Sequence, residues 1–231
     1  MPFRQAQGPE PVEGLRIKGS QEYPDAYWNT PFFRSERFLG AAWKAMPADL
    51  SQPRLGTRVL DLFDDMANAG LRKYALAEAD MFRMETDYES YAHMNVNYVK
   101  LAERPRFADG WAPLLEALRE GNFFSSTGEV LIPRFTANGV AGGGTLDIAD
   151  GRELTVEADL EWTFPLAFAE FIWGDGNSVH RHRVEMSDTE AFGEKTLRLP
   201  IALANATWIR FEAWDLARNG AFTPPIWLQR P

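Results

Sequence analysis

The sequence predicts an α/β region followed by an all-β region, and two patterns support this fold class. In Arg58–Ala69 the apolar residues have the spacing of an amphipathic helix, and a glycine separates this segment from a short apolar strand, Arg72–Glu78. In the second half of the chain, short β-type runs alternate with turn residues at intervals of about ten residues. We therefore expect helices and strands to alternate in residues 20–131, and a small antiparallel β-sandwich domain in residues 132–231.

The elements of the first region follow from their local patterns. Residues 1–19 are rich in Pro, Gly, Gln and Glu without any apolar period, which predicts a disordered leader. Pro31 favours the first turn of a helix that extends to about Ala45. Gly70 ends the following amphipathic helix because glycine adopts a left-handed conformation without steric cost. The next strand leads directly into Glu78, at the strand end where α/β folds carry their chemistry.

Further elements complete both regions. Ala92–Leu101 alternates apolar and polar residues and predicts a half-buried strand. Trp111–Glu120 predicts a second helix, and Phe123–Ile132 predicts another strand. The predicted strands of the β region are Arg134–Ala137, Gly144–Ile148, Glu153–Trp162, Ala167–Gly174, Ser178–Met186, Glu194–Pro200, Trp208–Asp215 and Pro225–Leu228. Asp215–Phe222 is predicted to be a loop, and the tryptophans of the β runs are expected in the core.

Composition excludes several classes of function. The 231 residues carry a net charge of −9, which argues against a nucleic-acid partner because such surfaces need basic patches. The sequence has no apolar run of about 18 residues, so no membrane partner is expected. It has no cysteine, which excludes disulfides and thiolate metal sites and fits a cytoplasmic protein. With only three histidines, this chain alone cannot form a histidine-rich metal centre.

The most suggestive candidate site lies at the end of the Arg72–Glu78 strand. Glu78 and Asp80 are two residues apart, so both side chains lie on one side if the strand stays extended. Paired carboxylates suit a hard metal ion or acid–base chemistry. The alternative is an exposed strand end whose aspartate starts a turn or caps a helix. His93 could be a metal ligand or proton carrier, or simply a hydrogen-bonded residue at a sheet end.

Three other polar segments each allow a functional and a structural interpretation. Asn95 and Asn97 could donate hydrogen bonds to a substrate oxygen, or could be ordinary outward-facing strand positions. His180–Arg183 places two histidines on one strand face and two arginines on the other, which could bind an anion or metal, but a solvated face is the favoured interpretation. Phe124–Glu129 is rich in hydroxyl groups but lacks the lysine of a phosphate loop, so it is interpreted as a turn.

Three stretches together resemble the C-terminal part of PHP-superfamily metal-dependent hydrolases of the CehA/McbA type. They are Leu60–Phe82, Asn97–Gly128 and Trp208–Leu228, and the resemblance extends over most of the chain. It implies a partial PHP-like (β/α) barrel followed by the small β-sandwich. It also implies hydrolysis of phosphoesters or carboxylesters, with a metal-activated water as the nucleophile.

The resemblance also implies a set of metal ligands. Asp80 matches a metal-ligating aspartate of the family, and we expect Glu78 and His93 to be further ligands for a divalent Mn, Fe or Zn ion. Ala79 and Phe82 stand where the family motif has serine and histidine, and the early histidine motif of the family has no counterpart. The implied protein is a divergent or truncated hydrolase with an incomplete site and a small-molecule ester as substrate.

The incomplete barrel affects activity and assembly, and the sequence also allows a different class of function. A partial barrel would leave open strand edges, so the site would be inactive alone or completed by another copy or a partner chain. The alternative function is a non-catalytic binding or interaction module. In that case the C-terminal β domain would present aromatic side chains, mainly tryptophans, on one exposed sheet face.

Overall fold

The computed structural model describes residues 30–42, 59–78, 95–148, 153–201 and 205–230. Its helices are α1 (Pro31–Arg34), α2 (Val59–Asn68) and α3 (Ala112–Glu120), and a short 3-10 helix spans Phe107–Asp109. Its strands are β1 (Gly40–Ala42), β2 (Tyr74–Ala77), β3 (Val96–Val99), β4 (Phe123–Ser126), β5 (Val130–Ala137), β6 (Val140–Ala141), β7 (Thr145–Asp147), β8 (Leu154–Trp162), β9 (Leu166–Gly174), β10 (Val179–Glu185), β11 (Gly193–Ile201), β12 (Trp208–Asp215), β13 (Gly220–Phe222) and β14 (Ile226–Gln229). The described part of the chain is therefore mostly β-structure.

Two large sheets form the body of the molecule. The eight-stranded sheet has the order β10-β9-β12-β13-β4-β3, with β14 beside β12 and β7 beside β14. The four-stranded sheet has the order β11-β8-β5-β6. Side chains of both sheets share one core, in which Phe211 of β12 contacts Phe171 of β9 and Phe135 of β5, with ring centroids 4.8 and 5.9 Å apart. The all-β part of the prediction is thus present as a sandwich-like pair of sheets.

Strand β12 is buried at every one of its positions, because both faces of its sheet are covered. Ile209, Phe211 and Ala213 alternate along the strand and face the core between the two sheets. The intervening residues face α2, which packs on the outer side of the same sheet. There Leu60 of α2 contacts Trp214. The described residues therefore form three layers: the small sheet, the large sheet, and α2.

An α/β unit lies next to this sandwich. Strands β1 and β2 are parallel, with Gly40 opposite Tyr74, and α2 lies between them in sequence. Lys73 connects the chain before β1 to β2, because its Nζ donates to the carbonyls of Ser35 at 2.7 Å and Phe38 at 2.8 Å. A parallel pair separated by a helix is the unit expected of an α/β fold. The described strands do not close into a barrel.

The structure corrects three predictions of secondary structure. The helix expected from Pro31 to about Ala45 ends at Arg34, and Gly40–Ala42 joins the parallel pair with β2 instead. Gly220–Phe222 is not a loop but strand β13, which pairs with both β12 and β4. The strand expected over Phe123–Ile132 is divided into β4 and β5 by a turn at Gly128, whose φ of +108° favours glycine.

Three further predictions concern the leader, the division into domains and membrane-spanning helices. The predicted leader, residues 1–19, lies outside the described residues. Strands β3 and β4 belong to the predicted first region, yet they share a sheet with strands of the second, and the division into two domains stays a prediction. In the described part of the chain, no helix has the length and apolar character needed to cross a membrane.

Candidate functional site

The structure describes one of the three predicted metal ligands. Glu78 directly follows β2 and is exposed, as expected for a residue at a strand end. Asp80 and His93 lie outside the described residues, so the three are not brought together here. Among the residues that the structure does describe, no group of three or more histidine and carboxylate side chains could hold a metal ion.

A set of side-chain hydrogen bonds joins the end of β2 to the paired antiparallel strands β3 and β4. The side chain of Asn97 accepts a hydrogen bond from the Ala77 N–H at 2.9 Å and donates one to the Ala77 carbonyl at 3.0 Å. The Ser125 hydroxyl donates to the Asn97 Oδ1 at 2.8 Å. Asn97 thus occupies the hydrogen-bonding groups of β2 in the way that a neighbouring strand would. The side-chain amide of Asn97 holds the strand that leads to Glu78. Its side-chain N–H already donates a hydrogen bond to the Ala77 carbonyl.

The described residues contain a second polar cluster, which sequence reasoning missed. It lies between α2 and the outer face of the large sheet, and we call it the α2 charge cluster. Its arginines and carboxylates are Arg181 and Arg183 of β10, Arg210 and Glu212 of β12, Glu170 of β9, and Asp61 and Asp64 of α2. All four carboxylate residues are at most 3% exposed, so their charges require these partners.

Arg210 lies at the centre of the α2 charge cluster. Its guanidinium donates to both oxygens of Asp64, at 2.5 and 2.8 Å, and to Glu212 at 2.7 Å. Burial works to lower the pKa of Arg210, but the nearby carboxylates of Asp64 and Glu212 outweigh it and hold the pKa above its ordinary value. The Trp214 Nε1 donates to the other oxygen of Glu212 at 3.1 Å. Arg210 therefore stays charged and cannot serve as a general acid.

The arginines of β10 extend the cluster to the edge of the sheet. Arg181 donates to Glu170 at 2.9 Å and to Asp61 at 2.7 Å. Arg183 donates to Glu170 and lies over the Phe168 ring, 3.9 Å from its centroid. The interpretation of His180–Arg183 as a solvated strand was wrong for the arginines, because the α2 carboxylates cover that face. The prediction that the arginines share one face was correct.

This arrangement holds α2 against the sheet. Each carboxylate of the cluster accepts from an arginine, and α2 contributes only acids while β10 and β12 contribute the arginines. Asn68 adds a contact at the end of the helix, where its Oδ1 accepts from the Trp208 Nε1 at 2.9 Å. The α2 charge cluster is therefore a positioning device for the helix that leads into β2 and Glu78.

His180 and His182 lie on the exposed face of β10, as the solvated interpretation expects. His180 stacks on Trp173, with 5.6 Å between ring centroids, and its Nε2 lies 3.0 Å from Asp175. The hydrogen bond from His180, followed by those from the Ser178 and Asn177 amides, lowers the pKa of Asp175 to about 2. This pair stabilises the β9–β10 hairpin.

Four of the five tryptophans in residues 132–231 are buried, as the sequence predicted, and Trp173 is half-buried. Trp162, Trp208, Trp214 and Trp227 are each at most 7% exposed. They therefore do not form the exposed aromatic face on which the binding-module alternative depended. The exposed tryptophan of the described chain is Trp111, before α3, at 75% exposure.

No protein-family model matches the sequence, and the search of curated proteins found no match.

Proposed function

We propose that this chain is a divergent hydrolase of the PHP type that acts on a phosphoester or carboxylester and binds a divalent metal at the C-terminal end of β2. The observation that carries the proposal is the parallel β1–β2 pair with α2 between its strands in sequence. In such α/β units the functional side chains follow the carboxyl ends of the strands. Glu78 stands at that end of β2 and is open to solvent.

Two further observations support this location. The hydrogen bonds among Asn97, Ala77 and Ser125 hold the end of β2 on one side. The α2 charge cluster holds the preceding helix on the other side. Sites on rigidly held elements are more accurately positioned than sites on free loops. The residues around Glu78 therefore provide a fixed base for a carboxylate that receives a ligand from solvent.

The described donors do not fit a metal ion by themselves, because Glu78 is a single carboxylate. The proposal therefore requires Asp80, which lies two residues further on, and His93, as ligands beside it. A metal held there would supply an activated water, as hydrolytic metal sites do. Glu78 would bind the ion, and Asn97 would keep the strand beneath it in place.

The deciding experiment measures metal binding separately from activity. Elemental analysis of the purified chain, followed by calorimetric titration with Mn²⁺, would be compared among the chain and its Asp80→Ala and Glu78→Gln variants. We expect one bound ion per chain, and binding at least about tenfold weaker in both variants. Glu103→Gln removes another exposed carboxylate and is the matched control. Equal Mn²⁺ affinity in all four proteins, or no binding in the unsubstituted chain, would contradict the proposal.

Activity is then tested with chromogenic esters. The p-nitrophenyl phosphate and acetate esters represent the two proposed substrate classes. We expect Mn²⁺-dependent hydrolysis of at least one of them, abolished by Asp80→Ala. Binding of Mn²⁺ without any ester hydrolysis would contradict the proposed hydrolase activity of the purified chain and would limit the proposal to metal binding at the incomplete site that the sequence predicts.

A further inference from the structure

A cavity lies between the eight-stranded and the four-stranded sheets. It has a volume of about 510 Å³. The paired strands β3 and β4 line one side, and β5 and β6 of the four-stranded sheet line the other. This volume lies within the range of ligand pockets, roughly 300–1,000 Å³. The cavity is therefore large enough for a small organic molecule.

The walls of the cavity are mainly apolar and aromatic. Tyr98 and Phe124 are cross-strand neighbours whose rings lie parallel, 4.8 Å apart at their centroids. Ile132 and Phe135 line the side that belongs to β5. Tyr98 keeps 40% of its surface exposed although its strand neighbours are partly buried. A flat apolar molecule would cover this exposed ring surface and gain the stacking contacts that aromatic rings favour.

The charges at the cavity decide which apolar molecule fits. Two cationic side chains line it, Arg134 and Lys100. Arg134 is already neutralised, because it donates to Asp159 at 2.7 and 3.0 Å and to Glu157 at 3.1 Å. Lys100 is exposed, and its ammonium has no carboxylate partner among the described residues. The lining thus offers one available positive charge beside an aromatic wall, in a chain whose net charge is −9.

We propose that this cavity binds a small aromatic acid, with its ring between the paired strands β3 and β4 on one side and β5 on the other, and its anionic group at Lys100. This proposal is independent of the proposed hydrolase function, since the residues that line the cavity do not include Glu78, Asp80 or His93. Thr223, which also lines the cavity, is satisfied by the Phe211 backbone, so Lys100 is the group that distinguishes an acid from a neutral ligand.

The test uses two fluorescent probes of similar shape. Anilinonaphthalene sulfonate is an aromatic acid, and N-phenylnaphthylamine is its uncharged counterpart. We expect one molecule of the acid per chain, bound more tightly than the neutral probe. Lys100→Gln should weaken binding of the acid about two- to fivefold, as for an exposed ion pair, and leave the neutral probe unchanged. Lys195→Gln on the exposed strand β11 is the charge control.

A second variant tests the location of binding. Ala141 lines the cavity and is exposed, so Ala141→Phe would fill the space without removing a core side chain. We expect it to weaken both probes at least about tenfold. Trp111→Ser alters an exposed aromatic outside the cavity and should change neither affinity. Thermal unfolding checks that each variant is folded, and the Lys100 comparison remains decisive if Ala141→Phe does not fold. Undiminished binding in a folded Ala141→Phe variant, or equal effects of the two lysine substitutions, would overturn the proposal.

Discussion

Arg210 shows how strongly a single residue of this fold depends on its partners. It is 5% exposed and lies between the carboxylates of Asp64 and Glu212, which are almost completely buried. Buried ion pairs often contribute little net stability, because desolvation offsets their attraction. Removing one partner is different, since it leaves the remaining charges buried and unpaired. The α2 charge cluster should therefore be sensitive to truncation even if its net stabilisation is small.

We expect Arg210→Met to lower the free energy of unfolding by about 3–5 kcal/mol, because Asp64 and Glu212 lose their closest cation. Urea denaturation followed by circular dichroism measures this loss. Arg198→Met is the matched control, since Arg198 pairs with Glu157 but is 68% exposed. That change should cost less than about 1 kcal/mol. Similar losses in both variants would show that burial of the pair does not determine its effect.

Asp175 predicts a second effect at this scale, one that depends on pH. Its pKa in the folded chain is about 2, below the ordinary value of 3.8, because His180 and two backbone amides stabilise the carboxylate. The unfolded chain therefore binds the proton more readily, so this stabilisation is present above about pH 4 and is lost as the pH falls towards 2.

The free energy of unfolding is measured from about pH 5 down to about pH 2, the range in which Asp175 takes up its proton. As the pH falls, the free energy of unfolding of an Asp175→Asn variant should decrease less steeply than that of the unsubstituted chain. His180→Gln should remove part of the same dependence, because its hydrogen bond is the largest cause of the lowered pKa. His182→Gln, two positions along the strand, serves as control. An unchanged pH dependence in Asp175→Asn would refute the effect of this carboxylate.

At the scale of elements, the end of α3 packs against the segment before β7 through two glycines whose backbones are in contact. Gly121 ends α3 in a left-handed conformation, with φ of +74°. Gly143 lies against it, also at positive φ, and a Cβ there would lie 1.8 Å from the Glu120 carbonyl oxygen. The close approach of the two backbones requires glycine for space as well as for conformation.

Gly143→Ala and Gly139→Ala separate these two requirements. Both glycines have positive φ, +79° and +85°, but a Cβ at Gly139 would meet no atom within 4 Å. We expect Gly139→Ala to cost about 1–2 kcal/mol, from conformational strain alone. Gly143→Ala should cost clearly more, because the backbone of α3 must move. Equal losses in urea denaturation would mean that the contact with α3 relaxes freely.

Most elements could be predicted from the sequence because their signals are local. The alternation within Trp208–Asp215 and the apolar period of Val59–Asn68 each specify one element, and both elements were predicted within one or two residues. Strand β13 was missed because a run of only three residues, Gly220–Phe222, carries almost no periodic signal. The α2 charge cluster was missed for a different reason: Asp64 and Arg210 are 146 residues apart, and no local pattern joins them. The metal site proposed at Glu78, Asp80 and His93 stays a prediction.

At the scale of the whole molecule, the large sheet connects the other two layers. Its inner face shares a core with the four-stranded sheet, and its outer face carries α2. β4 also pairs with β13, which joins early and late parts of the chain in one sheet. Elements that share so much buried contact with one sheet should unfold together.

Native-state hydrogen exchange tests this coupling. We expect amides of α2 and β8 to open with the same free energy, because both layers depend on β12 and its neighbours. The helix α3 is the internal comparison: only Ala117 is buried in it, so its amides should exchange through smaller openings. A markedly lower opening free energy for α2 than for β8 would show that the α2 layer detaches by itself.

The burial of β12 also has a consequence for synthesis on the ribosome. This strand is central in the sheet, but β9 and α2, which need it, emerge from the ribosome well before it. Until β12 has been translated, the nascent chain carries an open strand edge and a helix whose acidic side chains have no arginine from that strand. Domains generally fold as units, so this one must wait for its late strands. Its nascent chain should therefore be a client of holding chaperones.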